Sequence, residues 1–355
     1  MMTVIPNFPQ RYIYQGNQFS GGQGDVYICT DQNLGRLVAI KVLQNVTNLA
    51  TLHQEIHSLS RIQSKHVVEL YDFFNNSIIG IVEEYVSGND LTHYSETQPN
   101  LDEYLKTLYQ IACGIADIHS CNMIHRDIKP NNIKFNEEGI LKIFDFGIAS
   151  AASPKPQTMA ARGTMGYRAP ELYGHSPMDF TKAVDVYAFG ATAWCLAKGR
   201  LPSELLDNPP QSYRAVPSFG VLDIGLPNDV VQTLDATLQT NPYLRPKMTE
   251  VREILARRLL FGKHRAILTH VNQTYEISQQ NSRAKIAYAL GSLVIKYDNL
   301  FFTVAKFSGD VYVNNQPVVI GKKLPESCVI TIGSPSYGAN RLFLTFDVSH
   351  PEVVL

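Results

Sequence analysis

The chain has 355 residues, a length that suggests two domains of unequal size. Its 45% hydrophobic and 18% charged residues are typical of a globular protein and exclude a disordered or fibrous one. With 31 Lys and Arg against 32 Asp and Glu, the formal net charge is −1, so nucleic-acid binding through bulk positive charge is not expected.

The cysteines and the apolar runs indicate the cellular location of the protein. Five cysteines without a CxxC pair indicate neither a disulfide framework nor a zinc site, and they favour a reducing, cytoplasmic location. The first residues carry no basic patch and no apolar core, so a secretory signal is not expected. The longest apolar run, residues 186–197, is shorter than the about 20 residues that cross a bilayer, which predicts no membrane span.

The N-terminal part, residues 11–90, is rich in strand patterns. Residues 38–42 and 78–82 are β-type runs. Between them, Leu52, Ile56 and Leu59 recur at helical spacing. Residues 100–260 are mostly helical in pattern, with a loop-rich centre at about 125–175.

The C-terminal part changes character after Arg258. Turn residues there separate short apolar segments, at residues 300–304, 311–313, 318–320, 328–332 and 342–346. That pattern is typical of an all-β domain, and it predicts a boundary within residues 260–274.

Two features of the first strands and helix suggest chemistry. The turn at residues 20–26, Ser-Gly-Gly-Gln-Gly-Asp-Val, would let backbone N–H groups approach a phosphate, although a tight β-turn also explains its glycines. Glu55 lies within the apolar stripe of its helix, and burying an unpaired carboxylate is costly. Lys41 is the candidate partner, and a solvent-exposed helix edge is the alternative.

The loop at residues 125–132 is densely polar and precedes a hairpin of two short strands, residues 133–135 and 140–144. If the hairpin pairs symmetrically, Asn132 lies opposite Ile143, and Asp145 follows two residues further along, roughly 7 Å away. Two oxygen ligands at that separation suit Mg²⁺. A purely structural interpretation leaves so many polar residues between apolar strands unexplained.

The ordered set of motifs over residues 11–260 resembles a eukaryotic-type Ser/Thr protein kinase, and its combination with a small β domain is typical of bacteria. The motifs are the Gly-rich turn, Val38-Ala39-Ile40-Lys41, His125-Arg126-Asp127, Asp145-Phe146-Gly147 and Ala169-Pro170-Glu171. Asp185 resembles the start of the family's buried lobe helix, and Arg245 matches the arginine that pairs with Glu171.

The resemblance implies an α+β fold with a bilobal kinase domain at residues 1–262, divided into an N-lobe at about 11–86 and a C-lobe at about 87–262. It implies ATP and Mg²⁺ as cofactors and protein hydroxyls as substrates. The nucleotide would be held by Gly21, Gly24, Val26, Ala39, Lys41, Glu55, the backbone of Glu84–Val86, and Asp90.

The same resemblance assigns the catalytic and regulatory roles. Asn132 and Asp145 would hold Mg²⁺, Asp127 would accept or orient the substrate hydroxyl proton, and Lys129 would stabilise the γ-phosphate. Three further residues would regulate: Thr158 as the site of autophosphorylation, Arg126 as its docking partner, and Thr164 as a contact of Asp127 and Lys129.

Three positions depart from the family pattern. Phe19 stands where the first loop glycine usually is, and Gln23 replaces the usual aromatic at the loop tip, which predicts a working but more mobile phosphate lid. Glu83 lines the back of the adenine pocket, where an acid is uncommon. Its carboxylate could hydrogen-bond or stay solvated.

The C-terminal domain, residues 275–355 after a linker at 263–274, resembles a forkhead-associated (FHA) β-sandwich. The resemblance rests on residues 312–318, Leu324, residues 329–333 and residues 344–346. The phosphothreonine-reading positions do not match: Ser278-Gln279, Ile295 and Gly309-Asp310 stand in their places, and only Ser292 fits. We expect this domain to regulate the kinase or bind a protein partner, without phosphothreonine selection.

Two alternative functions compete with an active kinase. A pseudokinase scaffold usually lacks the nucleotide lysine, the catalytic aspartate or the metal aspartate, whereas Lys41, Asp127 and Asp145 are all present. A small-molecule kinase shares the nucleotide residues, but Lys129 and the segments 163–164 and 169–171 are typical of platforms for protein substrates.

Overall fold

The computed structural model describes residues 5–21, 24–43, 49–146, 164–173, 181–270 and 273–349. The chain divides into two compact units, and the division falls between Leu255 and Ala256. Among the described residues, no helix combines the length and the apolar character that crossing a bilayer requires.

The first unit begins with a five-stranded antiparallel sheet in the order β1-β2-β3-β5-β4. Its strands are β1 (Tyr12–Gly21), β2 (Gly24–Asp31), β3 (Arg36–Leu43), β4 (Leu70–Asn75) and β5 (Ile79–Glu84). Helix α1 (Leu49–Leu59) lies between β3 and β4 in sequence. Its Leu52, Ile56 and Leu59 are all buried, which confirms the predicted helical stripe.

The larger lobe of this unit is mainly helical. Its helices are α2 (Leu101–Ser120), α3 (Ala183–Lys198), α4 (Asn228–Thr237) and, up to Leu255, α5 (Met248–Leu259). A capping box of Asn100 and Glu103 starts α2 by satisfying its first N–H groups. Helix α3 is buried over most of its length and ends at Gly199, whose positive φ of 70° suits glycine.

A short hairpin lies between the two predicted metal residues, Asn132 and Asp145, in the sequence. Its strands are β6 (Ile133–Phe135) and β7 (Leu141–Ile143), with Ile133 opposite Ile143. The predicted register was wrong by one residue. Asn132 faces Phe144 and not Ile143, and the Phe144 N–H donates to the Asn132 carbonyl at 3.0 Å. The turn holds an odd number of residues between Asn136 and Ile140. Asp145 therefore follows directly after the partner of Asn132.

The second unit is built from two antiparallel sheets. One has the order β10-β11-β12 and the other the order β14-β13-β15-β16-β8-β9. The strands are β8 (Ala266–His270), β9 (Gln273–Ile277), β10 (Arg283–Tyr288), β11 (Gly291–Tyr297), β12 (Phe302–Gly309), β13 (Val311–Val313), β14 (Gln316–Pro317), β15 (Ser327–Ile332) and β16 (Leu342–Val348). Side chains from both sheets, including Leu293 and Leu344, form one apolar core.

The second unit starts earlier than the sequence pattern predicted. Residues 263–274, predicted as a linker, contain β8 and the start of β9. Strand β8 pairs with β16, with Leu268 opposite Phe346, and both side chains are buried. The segment therefore belongs to the sheet, because Ala266 and Leu268 alternate into its core.

Candidate active site

The sheet of the first unit presents one face to the site. Val26 lies opposite Lys41 in the β2–β3 pair, and Ala39 lies opposite Glu83 in the β3–β5 pair. Residues directly opposite in an antiparallel pair share a face, as do residues two apart on a strand. Val26, Ala39, Lys41 and Glu83 therefore lie on one face, next to the glycine pair Gly21 and Gly24 at the β1–β2 turn.

Lys41 joins this face to the residues that follow the β6–β7 hairpin. Its side chain is buried, and its Nζ forms an ion pair with Oδ1 of Asp145. Asp145 has a positive φ of 64°, a conformation that is uncommon for residues other than glycine, although Asp and Asn adopt it more often than most. A strained backbone held in place at such a position is typical of functional sites.

The carboxylate of Asp127 is the centre of a hydrogen-bonded cluster. Its Oδ2 accepts from Lys129 Nζ at 2.8 Å and from Asn132 Nδ2 at 2.9 Å. Thr164 Oγ1 lies 3.3 Å from Oδ1 and accepts from Lys129 Nζ at 2.7 Å. The structure thus brings the predicted catalytic pair together with Asn132 and Thr164, in the contacts that the family resemblance implies for Thr164.

A buried aspartate on α3 holds the backbone of this loop. Asp185 is fully buried, and its carboxylate accepts from the N–H groups of His125 and Arg126, each at 2.8 Å. His119 Nε2 lies 2.9 Å from the same carboxylate. Burial alone would raise the pKa of Asp185, but the hydrogen bonds and charge interactions that it forms with His119 and His125 together outweigh burial and lower that pKa.

His125 packs between the loop and the segment around Asp145. Its Nε2 lies 3.1 Å from the Phe144 carbonyl, and its ring centroid lies 4.7 Å from that of Phe146. Burial lowers the pKa of His125, so the neutral ring is favoured. The uncharged ring therefore packs against the segment that carries Asp145 and helps to hold it in place relative to Asp127.

The two residues predicted to bind a metal offer oxygen ligands. The Asn132 amide nitrogen donates to the Asp127 carbonyl and carboxylate. Its amide oxygen accepts no hydrogen bond within the described residues and is available to a ligand. Asp145 adds a carboxylate on the other side of the hairpin end. An amide oxygen with a carboxylate is a donor set that hard divalent cations accept, so these residues fit such an ion.

Glu171 and Arg245 form the platform contact implied by the resemblance. The Arg245 guanidinium donates two 2.7 Å hydrogen bonds to the Glu171 carboxylate, and its side chain is completely buried. Arg245 also donates to the carbonyls of Gln239, Ala183 and Thr240. Every donor of this buried cation thus has a partner, as a buried charge requires.

Several predicted site residues are only partly tested by the geometry. Thr158 and the tip of the glycine turn lie outside the described residues, and of Glu55 only the backbone, within α1, is described. Asp90 caps the 3₁₀ helix Leu91–Thr97 by accepting from the Thr92 N–H at 2.9 Å. Its carboxylate is therefore partly engaged by the backbone.

Two features near the site are not predictable from the motifs alone. The first is Asp185, which was recognised as the start of a buried helix but not as the anchor of the loop at 125–126. The second is Lys134 on β6, whose Nζ lies 5.4 Å from the Phe144 ring centroid and whose pKa is lowered by burial. The only sequence signal for Lys134 was its place two residues after Asn132, between two apolar residues.

Comparisons with known proteins agree with this arrangement. The protein kinase domain family matches residues 19–254. The probable serine/threonine-protein kinase pknA2 of Bifidobacterium longum is 36% identical over 214 residues, 56% of this chain and 28% of that protein. PknA of Corynebacterium glutamicum is 36% identical over 197 residues, 51% of this chain and 42% of that protein.

A third relative, the serine/threonine-protein kinase PrkC of Bacillus subtilis, is 35% identical over 192 residues. These are 51% of this chain and 29% of that protein. The chain therefore spans less than half the length of these three relatives.

Proposed function

The chain belongs to the protein kinase family, and we propose that it transfers the γ-phosphate of ATP to Ser and Thr hydroxyls of protein substrates. The observation that carries this proposal is the cluster in which Lys129, Asn132 and Thr164 surround the carboxylate of Asp127. The relatives that match it are named as serine/threonine-protein kinases.

The proposed reaction uses these groups as follows. The substrate hydroxyl oxygen forms a bond to the γ-phosphorus while the bond to the β-phosphate oxygen breaks, and Asp127 accepts the hydroxyl proton. Lys129 is 2.8 Å from that carboxylate and stabilises charge on the transferring group. Lys41 holds the α- and β-phosphates.

The proposed site also has places for the metal ion and for the adenine ring of ATP. Mg²⁺, held by Asn132 and Asp145, would supply positive charge against the phosphates. Val26 and Ala39 contribute an apolar surface for adenine, whose edge would bind the backbone of Glu84–Val86. Asp90 would contact the ribose.

Radiolabelled transfer tests the proposal directly. With [γ-³²P]ATP and Mg²⁺, the protein should label a generic basic protein on Ser and Thr, and should not label aminoglycosides or choline. Acid hydrolysis of the product identifies the labelled residue. Labelling of small amines or alcohols in preference to protein would favour the small-molecule kinase, and no transfer at all would favour the scaffold.

We propose further that the enzyme activates itself by phosphorylation at Thr158, in a Pro-rich segment outside the described residues. Phosphothreonine adds about −1.5 to −2 charges, which Arg126, directly before Asp127, would bind. Thr158→Ala should therefore lower the transfer rate at least about tenfold, the equivalent of one charge-assisted hydrogen bond. Ser153→Ala is the control and should keep full activity.

Mass spectrometry checks this second proposal. Peptide spectra after incubation with Mg·ATP should show phosphate on Thr158, and Asp127→Asn protein should show none. An unmodified Thr158 in active protein, or full activity in Thr158→Ala, contradicts it.

For the second unit we propose an FHA-like domain that binds a protein partner without selecting phosphothreonine. Its two antiparallel sheets with a shared core support an FHA-like fold. At the one position that fits the FHA pattern, Ser292 Oγ is already engaged with Ser308 Oγ at 2.8 Å. The cytoplasm is the proposed location, since all five cysteines are free thiols, as a reducing compartment keeps them.

A further inference from the structure

Glu83 occupies a defined place in the proposed nucleotide site. It lies opposite Ala39 and shares a sheet face with Lys41. It also directly precedes the backbone of Glu84–Val86, to which the edge of the base would bind. A carboxylate at this point would border the inner edge of the base, the edge that carries the 6-amino group in adenine.

The Glu83 carboxylate is without a partner in the described part of the chain. Its neighbour Glu84 forms an ion pair with Lys142 at 2.8 Å, whereas Glu83 forms neither an ion pair nor a hydrogen bond. Glu83 is partly buried, and burial raises the pKa of its carboxyl to about 7, with Lys41 lowering it and Asp145 raising it. A partly desolvated acceptor of this kind is stabilised by a hydrogen-bond donor that a ligand brings.

We infer that Glu83 selects nucleotides whose base carries an exocyclic amino group at the inner edge, so that adenine is accepted and guanine is rejected. This inference rests on the proposed function. The 6-amino group of adenine has two hydrogens: one can bind the Glu84 carbonyl, and the other faces Glu83. Guanine presents a carbonyl oxygen at the same place, and its lone pairs would meet those of the Glu83 carboxylate when that group is ionised. Because the pKa of Glu83 is about 7, the base preference is measured well above that pH.

The rival role for Glu83 is an ion pair with Lys41 that forms only when nucleotide displaces Asp145. The two roles differ in what they predict. An ion pair with Lys41 acts on the phosphates, so its loss changes the affinity of all nucleoside triphosphates by the same factor. A contact with the 6-amino group changes only the ratio between bases.

Equilibrium binding of three Mg·nucleotides separates these roles: ATP, GTP and purine riboside triphosphate, which lacks the 6-amino group. Calorimetry on the full chain measures the affinity for each nucleotide in three proteins: the wild type, Glu83→Met and Glu83→Gln. Wild type should bind ATP more tightly than the other two. In Glu83→Met the preference for ATP over purine riboside triphosphate should fall about tenfold, the value of one charge-assisted hydrogen bond.

Glu83→Gln gives the sharper result, because an amide can both accept and donate. Its oxygen should keep ATP affinity within a few-fold, and its NH₂ group should bind the guanine carbonyl and raise GTP affinity about tenfold. Glu69→Gln is the matched control, since Glu69 is exposed on the chain just before β4, and it should keep the wild-type preference.

The outcomes distinguish this inference from the proposed function. Unchanged base preference in both Glu83 variants, or an equal change for all three nucleotides, overturns the inference while ATP-dependent transfer stands. Absence of nucleotide binding by the wild-type protein overturns the proposed function and the inference with it. A shift in base preference confined to the Glu83 variants supports both.

Discussion

Replacing Asp127 by Asn should reduce phosphoryl transfer by about 10²- to 10⁴-fold, the usual contribution of a positioned general base. An amide cannot accept the hydroxyl proton, and its NH₂ group would face the donors of Lys129 and Asn132 in place of an acceptor oxygen. The fold should survive, because Asp127 is partly exposed and its loop is anchored through Asp185.

Steady-state kinetics and calorimetry check this first result. Asp127→Asn should bind Mg·ATP almost normally, whereas Asp145→Asn should lose both transfer and tight Mg·ATP binding, since Asp145 is assigned to the metal. Thermal unfolding of both variants should match the wild type within a few degrees. Transfer at a near-normal rate by folded Asp127→Asn would refute the role proposed for this loop.

The second large effect is expected at Asp185. Its carboxylate accepts three hydrogen bonds in a fully buried position, and an Asn there must turn an NH₂ group towards one of the donors. Losing one charge-assisted bond and burying a mismatched donor should lower the free energy of unfolding by about 3 kcal/mol. For a unit of this size, Tm should fall by roughly 6–12 °C.

The pH dependence of this loss has a definite sign. The pKa of Asp185 is lower in the folded protein than in the unfolded chain, so its contribution is present above the unfolded value of about 4. That contribution is lost as pH falls through the folded pKa. The difference in stability between wild type and Asp185→Asn should therefore be full at pH 7 and shrink below pH 4.

Denaturant unfolding at pH 7 and thermal scans across pH measure these effects. Asp185→Asn should also lose transfer, because the N–H groups of His125 and Arg126 that position Asp127 lose part of their anchor. Glu96→Gln is the control, since the Glu96 side chain is 72% exposed in its pair with His93, and its effect should be small. Wild-type stability in Asp185→Asn would show that the anchor is dispensable.

Short-range patterns in the sequence were sufficient for the kinase motifs and for most elements near them. The strand around Lys41 and the buried stripe of Leu52, Ile56 and Leu59 follow from alternation and helical spacing, which depend on neighbours in the chain. The Arg245–Glu171 contact was implied by the family resemblance, since both residues match motifs of that family. The change to an all-β pattern after Arg258 likewise located the second unit, although not its first strand.

Only the tertiary structure decided the features that depend on register and on distant partners. One residue in the turn before Ile140 set which residue faces Asn132, and pairing with β16 turned a predicted linker into strand β8. Asp185 meets the loop at 125–126 across about 60 residues of chain, and Glu83 has no partner in the described residues although Lys41 and Asp145 lie close enough to shift its pKa. The physical reason is that local spacing determines which face a side chain occupies, whereas hydrogen-bond partners and desolvation arise only when distant segments pack together.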